Sequence, residues 1–278
     1  MYGDNRTRGR FNDHTLIIGT LRRPFGCLIH YIVCYNYQMD QYYVFMIIKA
    51  VISVVIALLL GNGIVVWFNN MPVRWFQEEG ESLPTALIKD MENERQRLAS
   101  TPWKLVFTVF FGASGVFMAV RESTQFMIAG MMVIFIVSMM AICDAKYRVV
   151  PDQLNVLLAV SAVGFVSFNE NLLEPLYGAI IGLALGLATY GLGRIIYHKT
   201  VIGGADLKFY ISIGFVTGAH GVLAIFIMVS IFALIHIVFL SITNRFDADE
   251  HRPMLVYALP AVAIYVLVLW DYLPLVLI

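Results

Sequence analysis

Two aspartates stand where the sequence could do chemistry. Asp144 closes an apolar run in Ile142-Cys143-Asp144-Ala145-Lys146-Tyr147-Arg148-Val149-Val150-Pro151-Asp152. Asp206 follows Gly203-Gly204-Ala205 and precedes Leu207-Lys208 at the head of another apolar run. Ionisable groups beside long apolar segments are costly to keep, which makes them candidates for function. Two carboxylates brought within a few ångströms cannot both ionise cheaply, so they share a proton. One can then take a proton from water while the other protonates a carbonyl oxygen and a leaving nitrogen. The Gly-Gly-Ala approach lets backbone come close to an extended chain and permits a φ that other residues resist.

Each acid also has a plain structural reading. Asp206, after glycines and before an apolar run, suits a helix N-cap. Asp144 could be an interfacial charge beside Lys146, and Asp152 after Pro151 reads as a cap. Lys49 and Asp271 lie near helix ends and can snorkel, and His236 reads as a neutral histidine bonded to a neighbouring helix. Gly178, Gly182 and Gly186, four apart, suit close helix packing. The cysteines Cys27, Cys34 and Cys143 form no CxxC pair, so neither a disulfide framework nor a cysteine metal site is expected, and Cys143 reads as a buried thiol.

The elements that must hold these acids are membrane helices. Of 278 residues, 59% are hydrophobic and 14% charged, against about a quarter charged in soluble domains. A span takes about 20 apolar residues. Ala50–Val73, Leu105–Val120, Gln125–Cys143, Leu154–Phe168, Pro175–Gly193 and Met254–Trp270 qualify in varying degree. Residues 209–244 carry no Asp, Glu, Lys or Arg, too long a stretch for one crossing, and Gly218-Ala219-His220-Gly221 is the expected break. The fold class expected is therefore all-α and polytopic, with about eight transmembrane helices. Between Pro72 and Lys104 lies a charged loop in which Ser82-Leu83-Pro84 starts a short amphipathic helix carrying Leu83, Leu87, Met91 and, further on, Leu98.

Orientation follows from the basic residues. Arg74, Lys89, Arg95, Arg97, Lys104, Lys146, Arg148, Arg194, Lys199, Lys208, Arg245 and Arg252 fall in alternate loops, whereas the opposite loops after Met39 hold Arg121. The basic side is expected to be cytoplasmic, with Asp144 and Asp206 both on it. Arg6, Arg8, Arg10, Arg22 and Arg23 break the pattern, so residues 1–38 are expected to be a start-site extension and the working protein to run over 39–278. The net charge of zero argues neither for nor against a nucleic-acid partner, and none is expected.

Taken together, Asp144 with Pro151-Asp152-x-Leu154, then Gly203-Gly204-Ala205-Asp206-x-Lys208, resemble the type IV prepilin peptidases, intramembrane aspartyl proteases with a Gly-x-Gly-Asp motif. Gly61-Asn62-Gly63 through Asn69-Asn70-Met71-Pro72 is similar to the family's first-helix signature, and Val256-Tyr257-Ala258-Leu259-Pro260 to its Pro-Phe-Gly-Pro-like segment. The resemblance implies Asp144 and Asp206 as the catalytic pair. It adds Gly203, Gly204, Ala205, Lys208 and Pro151 as substrate-binding or active-site backbone, with neither metal nor cofactor. It also implies a bacterial plasma-membrane enzyme of type IV pilus or secretion systems, cutting the short basic leader of pilin-like precursors. Many relatives carry paired cysteines in the first loop, linked to zinc and to methylation of the new terminus. The Pro72–Lys104 loop has none, so methylation is left open. Two other readings use the same residues: a small cation or proton transporter, and a non-catalytic homologue acting as assembly scaffold.

Overall fold

A computed structural model describes residues 24–77, 83–92, 96–169, 171–197, 203–244 and 252–272. The expectations for residues 1–23, for Ser82 and for the 245–251 loop fall outside them. The chain divides into two compact units, Met1–Ile48 and Lys49–Ile278; the first is helical from Pro24, and the second holds everything that follows. Among the described residues all regular structure is helical: α1 (Pro24–Asn70), α2 (Thr85–Glu92), α3 (Trp103–Arg121), α4 (Thr124–Tyr147), α5 (Asp152–Ser161), α6 (Glu174–Tyr197), α7 (Gly204–Ile242) and α8 (Leu255–Ile264). A 3-10 segment, Ala162–Phe168, prolongs α5, and a π-helical turn, Tyr265–Leu269, prolongs α8. Among the described residues, five helices are long and apolar enough to cross a membrane: Tyr43–Asn70 of α1, then α3, α4, Glu174–Ile195 of α6, and α7. The segments Asp152–Phe168 and Leu255–Leu269 are shorter apolar helices. Over its described residues the protein is an all-helical membrane protein.

The expected break is present. Gly218 has φ 69° and ψ −173°, a conformation that glycine adopts without a Cβ clash and that no helix contains. Its consequence is a reversal of direction. Tyr210 and Phe226 lie 16 residues apart, about 24 Å along a straight helix, yet their ring centroids are 5.4 Å apart. Helix α7 is therefore two antiparallel legs folded at Gly218.

Packing of the first leg explains the glycine stripe. A Cβ on Gly178 would run into the carbonyl of Gly214, one on Gly182 into the backbone of Tyr210, and one on Gly186 into the Leu207 side chain. Small residues thus let α6 and α7 approach backbone to backbone, the contact that holds helices together where lipid is as apolar as leucine. The same logic joins α1 to α3, since a Cβ on Gly61 would meet the backbone of Thr108. Helix α4 is the central element, with residues 133–141 buried throughout, and Phe126 at its start meets Phe165, Phe168 and Trp270 edge-on.

The bundle has two ends. Lys49, Glu122, Asp271 and the Gly218 fold lie at one, and the Asp144 end lies opposite. Lys49 donates to the Glu122 carbonyl at 2.6 Å, a structural role of the expected kind. His236 bonds to a neighbouring helix as expected, its Nδ1 lying 2.5 Å from the Tyr257 hydroxyl on α8. The amphipathic helix of the first loop forms as α2, with Leu87 fully buried and Leu83 and Leu98 against the core. Met91 departs from the expected stripe and is exposed.

Candidate active site

Asp144 sits in the last turn of α4, one turn before the helix stops. Arg148 ends it in a left-handed conformation (φ 59°, ψ 20°), its N–H closing on the Asp144 carbonyl at 3.0 Å. Two β-branched valines and Pro151 then favour extended backbone, and Pro151, buried, caps α5. The Asp144 side chain is 8% exposed, and its Oδ2 accepts the N–H of Leu255 at 2.8 Å. That bond spans 111 residues and seats the first turn of α8 on α4. Cys143 beside it is a buried free thiol, as expected.

Asp206 is half-buried in the first turn of α7. Gly203 is the N-cap, and the Asp206 carboxylate reaches back to accept the Gly203 N–H at 3.3 Å. Asp206 thus supports the helix start from the third helical position and not from the cap itself. The expectation of an unusual glycine conformation is corrected: Gly203 has φ −78°, which any residue adopts, and Gly204 is helical. Both are exposed, and a Cβ on Gly204 would meet nothing within 4 Å. Ala205 packs partly against the core.

Lys208 and Asp152 form an ion pair, Nζ lying 2.7 Å from Oδ1 and 2.8 Å from Oδ2. Asp152, expected as a cap, makes no capping bond; Pro151 holds that position and Asp152 turns to α7. Exposed pairs of this kind contribute at most about 1 kcal/mol. The value of this one is geometric, because it fixes the start of α7 beside the start of α5. Since α5 starts where α4 stops, Asp144, Pro151, Asp152, Gly203, Asp206 and Lys208 all lie at one end of the bundle.

The first loop is fastened to that same end. Lys146 pairs with Asp90 of α2 at 2.6 Å, and the Tyr147 hydroxyl donates to Asp90 at 3.0 Å. Burial alone would raise the Asp90 carboxyl, but hydrogen bonds from Lys146 and Tyr147, with the charges of Lys146 and Arg97, hold it below its ordinary value. Lys146 also donates to the Arg97 carbonyl, and Arg97 to the Met71 carbonyl. Asn69, at the end of α1, clamps Leu98 from both sides, Nδ2 donating to its carbonyl at 3.0 Å and Oδ1 accepting its N–H at 2.7 Å. Asn69 figured in the sequence only as part of the first-helix signature, with no partner assigned, and the Leu255 N–H did not figure at all. The polar Asn69-Asn70 pair closing an apolar helix was the available signal for the first; backbone atoms give none. Among the described residues, no group of three His, Cys, Asp or Glu side chains is arranged to hold a metal ion.

The comparison with protein families decides the resemblance. Residues 131–238 match the type IV leader peptidase family. The matched segment runs from the core of α4 through both legs of α7 and contains Asp144, Pro151, Asp152, Gly203, Asp206 and Lys208. The likeness read from the two aspartate motifs is thereby borne out: this segment, less than half of the chain, is similar to the type IV leader peptidase family. No curated protein and no solved structure matches the chain. Helices α1, α3 and α8 lie outside the match, although α8 supplies the N–H that holds Asp144.

Proposed function

We propose that this protein hydrolyses type IV pilin-like precursors at the cytoplasmic face of a bacterial plasma membrane, with Asp144 and Asp206 as an aspartyl dyad. The observation that carries the reading is the ion pair between Lys208 and Asp152. It supports a common end for the two motif aspartates of the family-matched segment. With α7 folded at Gly218, the described residues form eight apolar helical legs, and if each crosses, both acids fall on the side rich in Lys and Arg. That side retains the short basic leader of such precursors, so the cut falls where the leader meets its apolar helix.

The chemistry follows from two carboxyls with one proton between them. The ionised member takes a proton from water, and the hydroxide formed adds to the peptide carbonyl carbon. The protonated member donates to the carbonyl oxygen. Collapse breaks the C–N bond, and the departing nitrogen takes the proton first drawn from water. Gly203 and Gly204, exposed and without side chains, offer open backbone along which an extended substrate can lie.

Asp144→Asn and Asp206→Asn each keep an oxygen for the Leu255 and Gly203 N–H groups, so both variants should fold. Neither can cycle a proton at neutral pH. Each should lose roughly a hundred- to ten-thousand-fold in processing of a co-expressed pilin-like precursor, read by mobility shift. Near wild-type processing by either variant means that the carboxylates are wrongly chosen.

A further inference from the structure

Asn155 lies on the buried face of α5 with Leu154 and Leu158 and is 5% exposed. Its Oδ1 and Nδ2 are both buried with no hydrogen-bond partner among the described residues. An unpaired buried amide is destabilising, whereas an apolar side chain of similar size would fill the same place without that penalty. A partner from outside the fold would satisfy both atoms at once.

The position of Asn155 narrows the choice of partner. Helices α4 and α5 are antiparallel, since Phe126 at the start of α4 packs on Phe165 and Phe168 beyond the end of α5. Asp144 lies three residues before the end of α4, and Asn155 three residues after the start of α5. Both side chains therefore stand roughly 4.5 Å in from the same end, on neighbouring helices. Helix α5 also packs on α7, whose Lys208 binds Asp152 one turn from Asn155. The orphan amide is thus level with one candidate catalytic acid, on the helix that lies against the carrier of the other.

We propose that Asn155 binds the main chain of the substrate, its carboxamide pairing with a peptide N–H and C=O beside the bond that is cut. A carboxamide presents one donor and one acceptor side by side, the complement of a peptide group. A carboxylate or an ammonium would leave one of its two atoms unpaired, and an apolar ligand would leave both. This assignment rests on the peptidase reading and adds a binding residue to it.

The test uses the full chain in detergent and a synthetic precursor peptide made of a basic leader followed by an apolar helix. Asn155→Leu should melt no lower than wild type without peptide, because the fold loses no partner. Its kcat/KM should fall roughly tenfold, mostly through KM, and Asn155→Gln should recover part of the loss. Peptide should raise the melting temperature of the wild type and not that of Asn155→Leu. Lower melting of Asn155→Leu without peptide would show that a neighbour or an ordered water holds the amide, overturning the assignment. Equal binding and cleavage by Asn155→Leu and wild type would overturn it while leaving the peptidase reading intact. Peptide that stabilises wild type selectively but is never cut would remove the peptidase reading and keep the Asn155 site. Should Asn155→Leu fail to fold, Asn155→Ala carries the same decision through the peptide-induced shift alone.

Discussion

At the Asp144 end of the bundle the acids meet donors. Asp90 meets Lys146 and Tyr147, Asp144 the N–H of Leu255, Asp152 the ammonium of Lys208, and Asp206 the N–H of Gly203. At the opposite end Glu122 stands half-buried beside Asp271, and Glu174 faces His220 at 4.0 Å. The titration directions are opposite too. Asp90 is held below its ordinary value, whereas burial and the neighbouring Asp271 push Glu122 above its own. Carboxylates placed against donors keep their positions before any substrate arrives, which catalysis by fixed charge requires. Carboxyls crowded together at a helix turn gain nothing from staying ionised. The contrast separates acids that the fold positions from acids that it merely tolerates.

The harshest way to break the contrast is to unseat α7, because Asp206 and Lys208 ride on its first leg. Gly182→Leu forces a side chain into the Tyr210 backbone, which cannot yield as a side chain could. We expect a loss of more than about 3 kcal/mol, or no monodisperse protein at all. Gly191→Leu on the same helix, where a Cβ meets nothing within 4 Å, should be neutral. Detergent melting curves of the two variants compare them directly.

A smaller effect separates the two candidate catalytic acids. The Asp144 bond to Leu255 is buried and joins residues 111 apart, while the Asp206 bond to Gly203 is exposed and local. Asp144→Ala should therefore cost about 1.5–3 kcal/mol in stability and Asp206→Ala roughly 0.5–1 kcal/mol. Equal losses in chemical denaturation would remove the distinction between a tertiary and a local restraint.

The same distinction explains what the sequence made legible. The break at Gly218 follows from an apolar stretch too long for one crossing, and the α6 stripe from glycines four apart. Both are properties of neighbouring residues and of membrane thickness. The common end of Asp144 and Asp206 follows from counting crossings. The Leu255 bond and the Asn69 clamp on Leu98 join residues remote in sequence through backbone atoms, which carry no residue-type signal. The pairing of Asp152 with Lys208 was missed because Pro151-Asp152 before an apolar run is a local capping pattern, and a tertiary partner overrode it. The glycines before Asp206 misled in another way. Glycine permits an unusual φ without requiring one, and here it supplies open space instead.

Acidity gives two milder probes. Asp90 has a folded value below the ordinary 3.8, so it contributes stability above that pH and loses it as pH falls through the depressed value. Asp90→Asn should thus be less stable than wild type at neutral pH, with the difference closing in acid below 3.8. Glu122 is the reverse. Its folded value lies above 4.5, so its contribution is present below 4.5 and lost as pH rises towards the elevated value. Glu122→Gln should match or exceed wild type at neutral pH, by less than about 1 kcal/mol, a typical surface effect. Melting temperatures across a pH series check both signs, and two variants moving in the same direction would erase the contrast between the ends.

The most direct test of a shared dyad is a double-mutant cycle in rate. Single-turnover cleavage of one precursor is measured for wild type, Asp144→Asn, Asp206→Asn and the double variant, with melting curves to confirm that all four fold. Groups that act as one unit lose their joint contribution when either is removed. The double variant should therefore be no slower than the slower single variant, within about threefold. A loss equal to the product of the two single losses would mean that Asp144 and Asp206 act independently, and the account of one proton held between them would be wrong.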